Sequence, residues 1–130
     1  MLRLAKIHDR LSIVDNQIGR PTYTLDLATA ALKTLSELRQ SPEKAGVYHV
    51  SNSGEPISWA QFAQAIFKAA KLNVLVNPIS ASEYPTTAAR PAYSVLDITK
   101  FETLFECTLP HWNDSLMQAI RLLNLEINPP

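Results

Sequence analysis

The chain has 130 residues, 46% of them hydrophobic, and its twelve Lys and Arg are balanced by twelve Asp and Glu. That length suits one compact domain, and the composition is ordinary for a globular protein. Zero net charge supplies no basic field for nucleic acid or for an anionic membrane surface, and no apolar run approaches the roughly 20 residues that span a bilayer.

The opening M-L-R-L-A-K has neither an apolar stretch nor a cleavage site, so no signal peptide is expected. Cys107 is the only cysteine, which precludes an internal disulfide and fits a reducing, cytoplasmic setting. Its neighbours Phe105, Thr108 and Leu109 predict a buried thiol. Leu2, Leu4, Ala5 and Ile7 read as the end of a helix. Leu11 to Val14 reads as a short strand, and Asp15-Asn16 then opens a loop from Gln17 to Tyr23. In that loop Gly19 permits a positive φ and Pro21 stiffens the exit. Thr24 is the expected N-cap of a helix from Leu25 to about Leu38, with Asp26 in its first turn and Ala28, Ala31, Leu32 and Leu35 on its inner face. Ser41-Pro42 ends it.

Val47 to Val50 reads as a second strand, and Asn52 to Pro56 as a loop. Ser58 and Gln61, in S-W-A-Q, form a capping box. Behind it Trp59, Phe62, Ala63, Ile66, Phe67 and Ala70 recur at helical spacing and predict a core-facing stripe. Leu72 to Val76 predicts a buried strand. Glu83 to Asp97 is an irregular stretch in which Arg90 stands between Pro85 and Pro91, after the small tract Thr86 to Ala89. A residue before proline is pushed out of the helical region, so Arg90 should be extended. Its planar guanidinium either grips a diphosphate or carboxylate, or bonds backbone carbonyls and pins the loop. Tyr93 to Leu96 reads as a strand, Asp97 as the cap of a short helix from Ile98 to about Phe105, and Pro110 as the start of a last helix with Trp112, Leu116, Ala119, Ile120 and Leu123 inward. Asn128-Pro129-Pro130 should be a frayed end.

Alternating strands and helices of this length predict an α/β fold, a small mixed sheet with packed helices, read as one domain over residues 1–130. The pattern opens in mid-course, like the second part of something larger. No reaction centre is legible. His8, His49 and His111 have no metal-ligand spacing, and mid-strand His49 is expected in the core or on a sheet face. No Tyr has a Lys four residues later, and no G-x-S-x-G elbow exists. Gly19, Gly46 and Gly54 are the only glycines and lie too far apart for a dinucleotide-binding loop. Catalytic, metal-binding and cofactor-binding residues are therefore assigned to none. An anion site remains. The Gln17 to Tyr23 loop follows a strand and precedes a helix, where α/β folds bind ligands and where helix-start amides hold anions. If it converges with the Arg90 loop, the combined set suits a nucleotide diphosphate-sugar; otherwise Gly19-Arg20-Pro21 is a plain strand-to-helix turn.

Three stretches, in this order and spacing, carry a resemblance: V-D-N-Q-I-G-R-P-T-Y-T-L-D-L-A from Val14, G-V-Y-H-V-S-N-S-G-E from Gly46, and Y-P-T-T-A-A-R-P-A-Y-S-V-L-D from Tyr84 with L-P-H-W at Leu109. Together they resemble the C-terminal, substrate-binding part of dTDP-4-dehydrorhamnose reductases, extended short-chain dehydrogenases/reductases with a Rossmann-type fold. The resemblance implies binding of a dTDP-sugar, dTDP-4-dehydro-L-rhamnose, which the family reduces to dTDP-L-rhamnose with NADPH or NADH. It places the Gly-rich cofactor loop and the Tyr-x-x-x-Lys pair in an N-terminal Rossmann half, the missing partner of this segment. The segment alone is then expected to bind no cofactor and to be inactive. By similarity Gln17, Gly19, Pro21, Thr22 and Arg90 face or shape the substrate site, while Arg20 stands where smaller residues are usual. Some members bridge the subunits of a homodimer with Mg²⁺, but no acidic ligands for it are matched here. The R-P stretch also resembles the non-catalytic regulatory subunit of methionine adenosyltransferase, which would imply a partner-binding module instead.

Overall fold

The computed structural model describes residues 1–84 and 86–127, and side chains only to residue 123 within the last helix. In chain order the elements are α1 (Leu2–Ala5), β1 (Arg10–Val14), β2 (Ile18–Gly19), α2 (Thr24–Gln40), a 3-10 turn (Pro42–Lys44), β3 (Ile57–Ser58), α3 (Trp59–Ala69), β4 (Leu75–Ile79), a second 3-10 turn (Ala81–Glu83), α4 (Thr99–Phe105) and α5 (Trp112–Ile127). The strands form two pairs. β1 and β4 are parallel, with Ile13 opposite Pro78; β2 and β3 are antiparallel, with Gly19 opposite Ile57. The fold is thus α/β with mixed pairing, as the alternation of elements predicts. Parallel neighbours need a long crossover, and here everything from α2 to α3 lies between them.

The predicted capping box starts α3. The Ser58 hydroxyl accepts the Gln61 N–H at 3.1 Å, and the Gln61 side chain accepts the Ser58 N–H at 2.8 Å. Ala63, Ile66 and Phe67 are then buried against Leu116 and Ile120 of α5, with Leu11, Ile13 and Val76 of the parallel pair, and Val74 just before it, covering them. α3 is therefore the layer between sheet and last helix. A second cluster gathers Ala30, Phe101, Phe105 and Leu109, with Tyr48, Val50 and half-buried Cys107 packed on it.

Several expectations shift. α2 turns Ala30 inward and leaves Ala28, Ala31, Leu32 and Leu35 exposed. Polar anchors set that rotation: Asp26 is bonded to Asn52, and Lys33 donates to the carbonyls of Phe105 and Glu106 that end α4. Tyr23, not Thr24, is the N-cap. Val47 to Val50 joins neither strand pair, and His49 is exposed, because no strand among the described residues lies beside this run to complete a ladder. β4 starts later than expected because Lys71, at φ 55°, turns the chain after α3 and the Leu72 N–H bonds the Phe67 carbonyl. Tyr93 to Leu96 reduces to one bridge, Tyr93 to Ile18. α4 begins at Thr99, whose N–H is accepted by Asp97 at 3.0 Å. α5 begins at Trp112 because the Pro110 carbonyl is already engaged by Ser53, and Leu123 is exposed. The expected fraying at Asn128 to Pro130 lies outside the described residues.

Phe105 holds the second cluster together: it is 2% exposed, and its ring meets Tyr48 edge-on at 5.1 Å and Phe101 at 5.2 Å. Phe105→Ala should cost about 3–5 kcal/mol in urea unfolding, the range for emptying a packed aromatic site. A loss below about 1 kcal/mol would mean that the site collapses freely around the deletion.

Candidate functional site

The site is built on a buried amide. Asn52 is wholly inaccessible to solvent. Its carbonyl oxygen accepts the Tyr23 N–H at 2.7 Å, at the start of α2. Its amide nitrogen lies 2.6 Å from the Asp26 carboxylate, 3.0 Å from the Pro110 carbonyl and 3.0 Å from the Ser115 hydroxyl, which itself donates to Asp26. One side chain thus ties the end of the Gln17 to Tyr23 loop, the first turn of α2 and the start of α5 to a single point. The Asp26 carboxylate also sits at the positive end of α2, where charge and dipole agree.

The loop so fixed opens onto a cleft of ≈ 480 Å³. Gln17, Gly19, Pro21, Thr22 and Arg90 all line it, so the two loops singled out in the sequence do converge. The convergence is made by backbone: Ile18 donates to the Ala92 carbonyl at 2.8 Å, and Ser94 donates to the Ile18 carbonyl at 2.9 Å. Gly19 does not use a positive φ; it sits in β2, and a Cβ there would meet the Ser94 hydroxyl at 3.2 Å. Glycine at this position lets the Arg90 loop lie close against the strand.

Three contributors were not legible as site residues. Trp59 and Phe62 line the cleft, and Trp59 is 47% exposed, so the front of the supposed core stripe is cleft wall. Ser51 lines it too, beside Arg20 of the loop already singled out. The run S-N-S-G after Val50 held a signal: small polar residues beyond the needs of one turn. Two further hollows adjoin. One, of ≈ 530 Å³, shares Arg20 and is walled by Ser53, Tyr93, Asp97, Thr99 and Glu102. The other, of ≈ 330 Å³, shares Gln17, Trp59 and Arg90 and reaches Leu4 and Leu11.

The electrostatics of the rim follow from local bonds. Hydrogen bonds from the Thr99 side chain, and then its N–H, hold the Asp97 carboxyl below the usual aspartate range. A backbone N–H within its own residue, then His111 at 3.3 Å, does the same for Glu55. No group of three or more His, Cys, Asp or Glu among the described residues is placed to hold a metal ion. No helix among them is long and apolar enough to cross a membrane.

Comparison with known proteins gives a consistent set of relatives. The family profile of the RmlD substrate binding domain matches residues 1–125. The chain is 39% identical over 132 residues to a dTDP-4-dehydrorhamnose reductase of Sinorhizobium fredii, covering 97% of this chain and 44% of that protein. It is 43% identical over 124 residues to the one from Aggregatibacter actinomycetemcomitans, covering 89% of this chain and 42% of that protein. The crystal structure of the dTDP-4-dehydrorhamnose reductase of Clostridium acetobutylicum superimposes with a TM-score of 0.85 at 37% identity, over 95% of this chain and 42% of that one. That of Bacillus anthracis, solved in complex with NADP, gives 0.80 at 34% identity, over 94% and 41%. The chain therefore spans about two fifths of the length of these relatives.

Asn52→Ala would strand the Tyr23 N–H and take from the Asp26 carboxylate one of two donors, Ser115 being the other. It should destabilise the fold by about 1–3 kcal/mol in urea unfolding, the cost of an orphaned buried group. The Glu55 carboxyl should titrate below the ordinary glutamate value in a side-chain NMR experiment and move back up in His111→Ala. The sign follows from the depressed pKa: this contact supports the fold above the ordinary glutamate range and is lost as pH falls through the folded value.

Proposed function

The chain belongs to the RmlD substrate-binding domain family, and from that premise we propose that its cleft binds dTDP-4-dehydro-L-rhamnose as the substrate-binding part of a dTDP-4-dehydrorhamnose reductase. The observation that carries the reading is the meeting of the Gln17 to Thr22 loop and Arg90 around one cleft that an exposed indole also lines. Arg90 offers a fork that matches phosphate oxygens. Trp59, Phe62 and Pro21 offer apolar faces for a ring, and the Gln17 amide and Thr22 hydroxyl offer partners to base or sugar polar groups. Gly19 keeps the wall thin where the loops touch.

The reduction that this family's name describes needs a nicotinamide cofactor, and the residues here do not fit one. The strand-to-helix turns hold single, widely separated glycines, and Gly54, at φ 105°, is filled in front by His111 and Trp112. No residue of this chain is assigned to NADPH, and its share of the reaction is to bind and orient the sugar nucleotide. The cofactor loop and proton donor belong to the remaining three fifths of a reductase of the relatives' length.

A thermal-shift titration with dTDP-L-rhamnose tests the binding. Ligand at about 100 times Kd should stabilise the chain by about 2.7 kcal/mol, on the order of 8–10 °C for a domain of this size. Trp59 fluorescence should change along the same isotherm, and Arg90→Ala should weaken binding about tenfold, near 1.4 kcal/mol. No stabilisation at millimolar ligand would overturn the reading in favour of a partner-binding module. The 130-residue chain mixed with NADPH and dTDP-4-dehydro-L-rhamnose should oxidise no cofactor; turnover would overturn the division of labour.

A further inference from the structure

Arg20 is a half-buried guanidinium with poorly matched donors. It lies between β2 and Pro21 and lines both the ≈ 480 Å³ cleft and the ≈ 530 Å³ hollow beside it, so it stands at the neck between them. Its Nε is buried and meets no acceptor among the described residues. The hydrogen bond its head group makes there is a long one, Nη1 to the Ser51 hydroxyl at 3.5 Å. Neither ion pair found among the described residues includes it. A guanidinium carries five donors, and leaving even one of them buried and unmatched is costly. The chain nevertheless holds the residue there firmly: Gly19 before it is paired to Ile57, proline follows it, and the Tyr23 N–H is fixed by Asn52.

The two cavities differ in chemistry. The first has flat apolar walls, Trp59, Phe62, Pro21 and Pro91. The second has acceptors and hydroxyls, Asp97, Glu102, Ser53 and Thr99, which suit a ligand rich in hydroxyl donors and repel a second anion. The neck is where an anion would meet Arg20 and stay clear of both carboxylates. Arg90, the other cation of the cleft, is exposed and hence screened by water.

We propose that Arg20 is the principal phosphate contact of this site, gripping the diphosphate of the ligand at the neck while a hydroxyl-bearing portion enters the hollow walled by Asp97 and Glu102. The assignment rests on the sugar-nucleotide reading for the identity of the ligand, but the anion contact itself is separable from it. Binding supplies the acceptors that the folded chain lacks. Arg20 therefore costs stability in the free protein and returns affinity in the complex, and Arg90 plays the lesser part.

Calorimetric titrations with inorganic pyrophosphate and with thymidine diphosphate test this, using the wild-type chain and Arg20→Met, Arg20→Lys and Arg90→Met. Arg20→Met keeps the aliphatic stem and removes the donors. It should melt at or above the wild-type temperature in buffer yet bind both probes at least tenfold more weakly, a larger loss than in Arg90→Met, with Arg20→Lys in between. Pyrophosphate binding through Arg20 without any gain from the nucleoside would uphold the assignment and sink the sugar-nucleotide reading. Thymidine diphosphate bound equally by wild type and Arg20→Met would do the reverse. A wild-type chain indifferent to pyrophosphate, or an Arg20→Met chain that melts several degrees lower or fails to fold, would overturn the assignment, since the guanidinium would then be structural.

Discussion

The site depends on one desolvated amide. Asn52 is polar and wholly buried, which costs free energy unless every bond is made. Tyr23, Asp26, Pro110 and Ser115 meet it, and these partners come from residues 23 to 115 of a 130-residue chain. A network with so few substitutes has one low-energy arrangement. That arrangement fixes where the loop before α2 leaves the sheet, and so fixes the cleft. Hydrophobic burial in the two clusters drives collapse, but it is non-directional and would tolerate several rotations of α2. The amide and the carboxylate choose among them.

The same competition explains which parts of the fold were readable. Period and capping chemistry are local, so α3 with its Ser58–Gln61 box, the end of β1 and the short α4 were legible in sequence. The inward face of α2 was not. Periodicity favoured Leu32 and Leu35, yet the partners of Asp26 and Lys33 lie 26 or more residues away and outvote an apolar stripe. Val47 to Val50 has strand composition and no strand neighbour among the described residues; pairing is a property of two segments, and a sequence read one segment at a time does not contain it.

The candidate site was legible in a similar measure. Gln17, Gly19, Pro21, Thr22 and Arg90 were picked out by turn chemistry and resemblance, and they share a cleft. The glycine was right for the wrong reason: it yields space to Ser94 and not a positive φ. Trp59 was hidden because a helix's first residue can point to core or cleft with the same spacing, and only the position of the loops decides. Ser51 was hidden because single polar residues in loops are common and carry no period, and Arg20 was visible in its loop but without a role of its own.

Two arginines in one cleft also divide the work physically. An exposed guanidinium attracts an anion from a distance but loses most of its pull to water and salt once contact is made. A guanidinium at a half-buried neck does little at range, yet a hydrogen bond from its buried Nε displaces no partner within the chain, because that donor meets no acceptor among the described residues. In the proposed site, steering and grip would therefore fall to different residues, Arg90 on the rim and Arg20 within. The rigid frame that Asn52 imposes is what makes the second possible, since a loop free to relax would turn an unpaired guanidinium out to solvent and forfeit the grip.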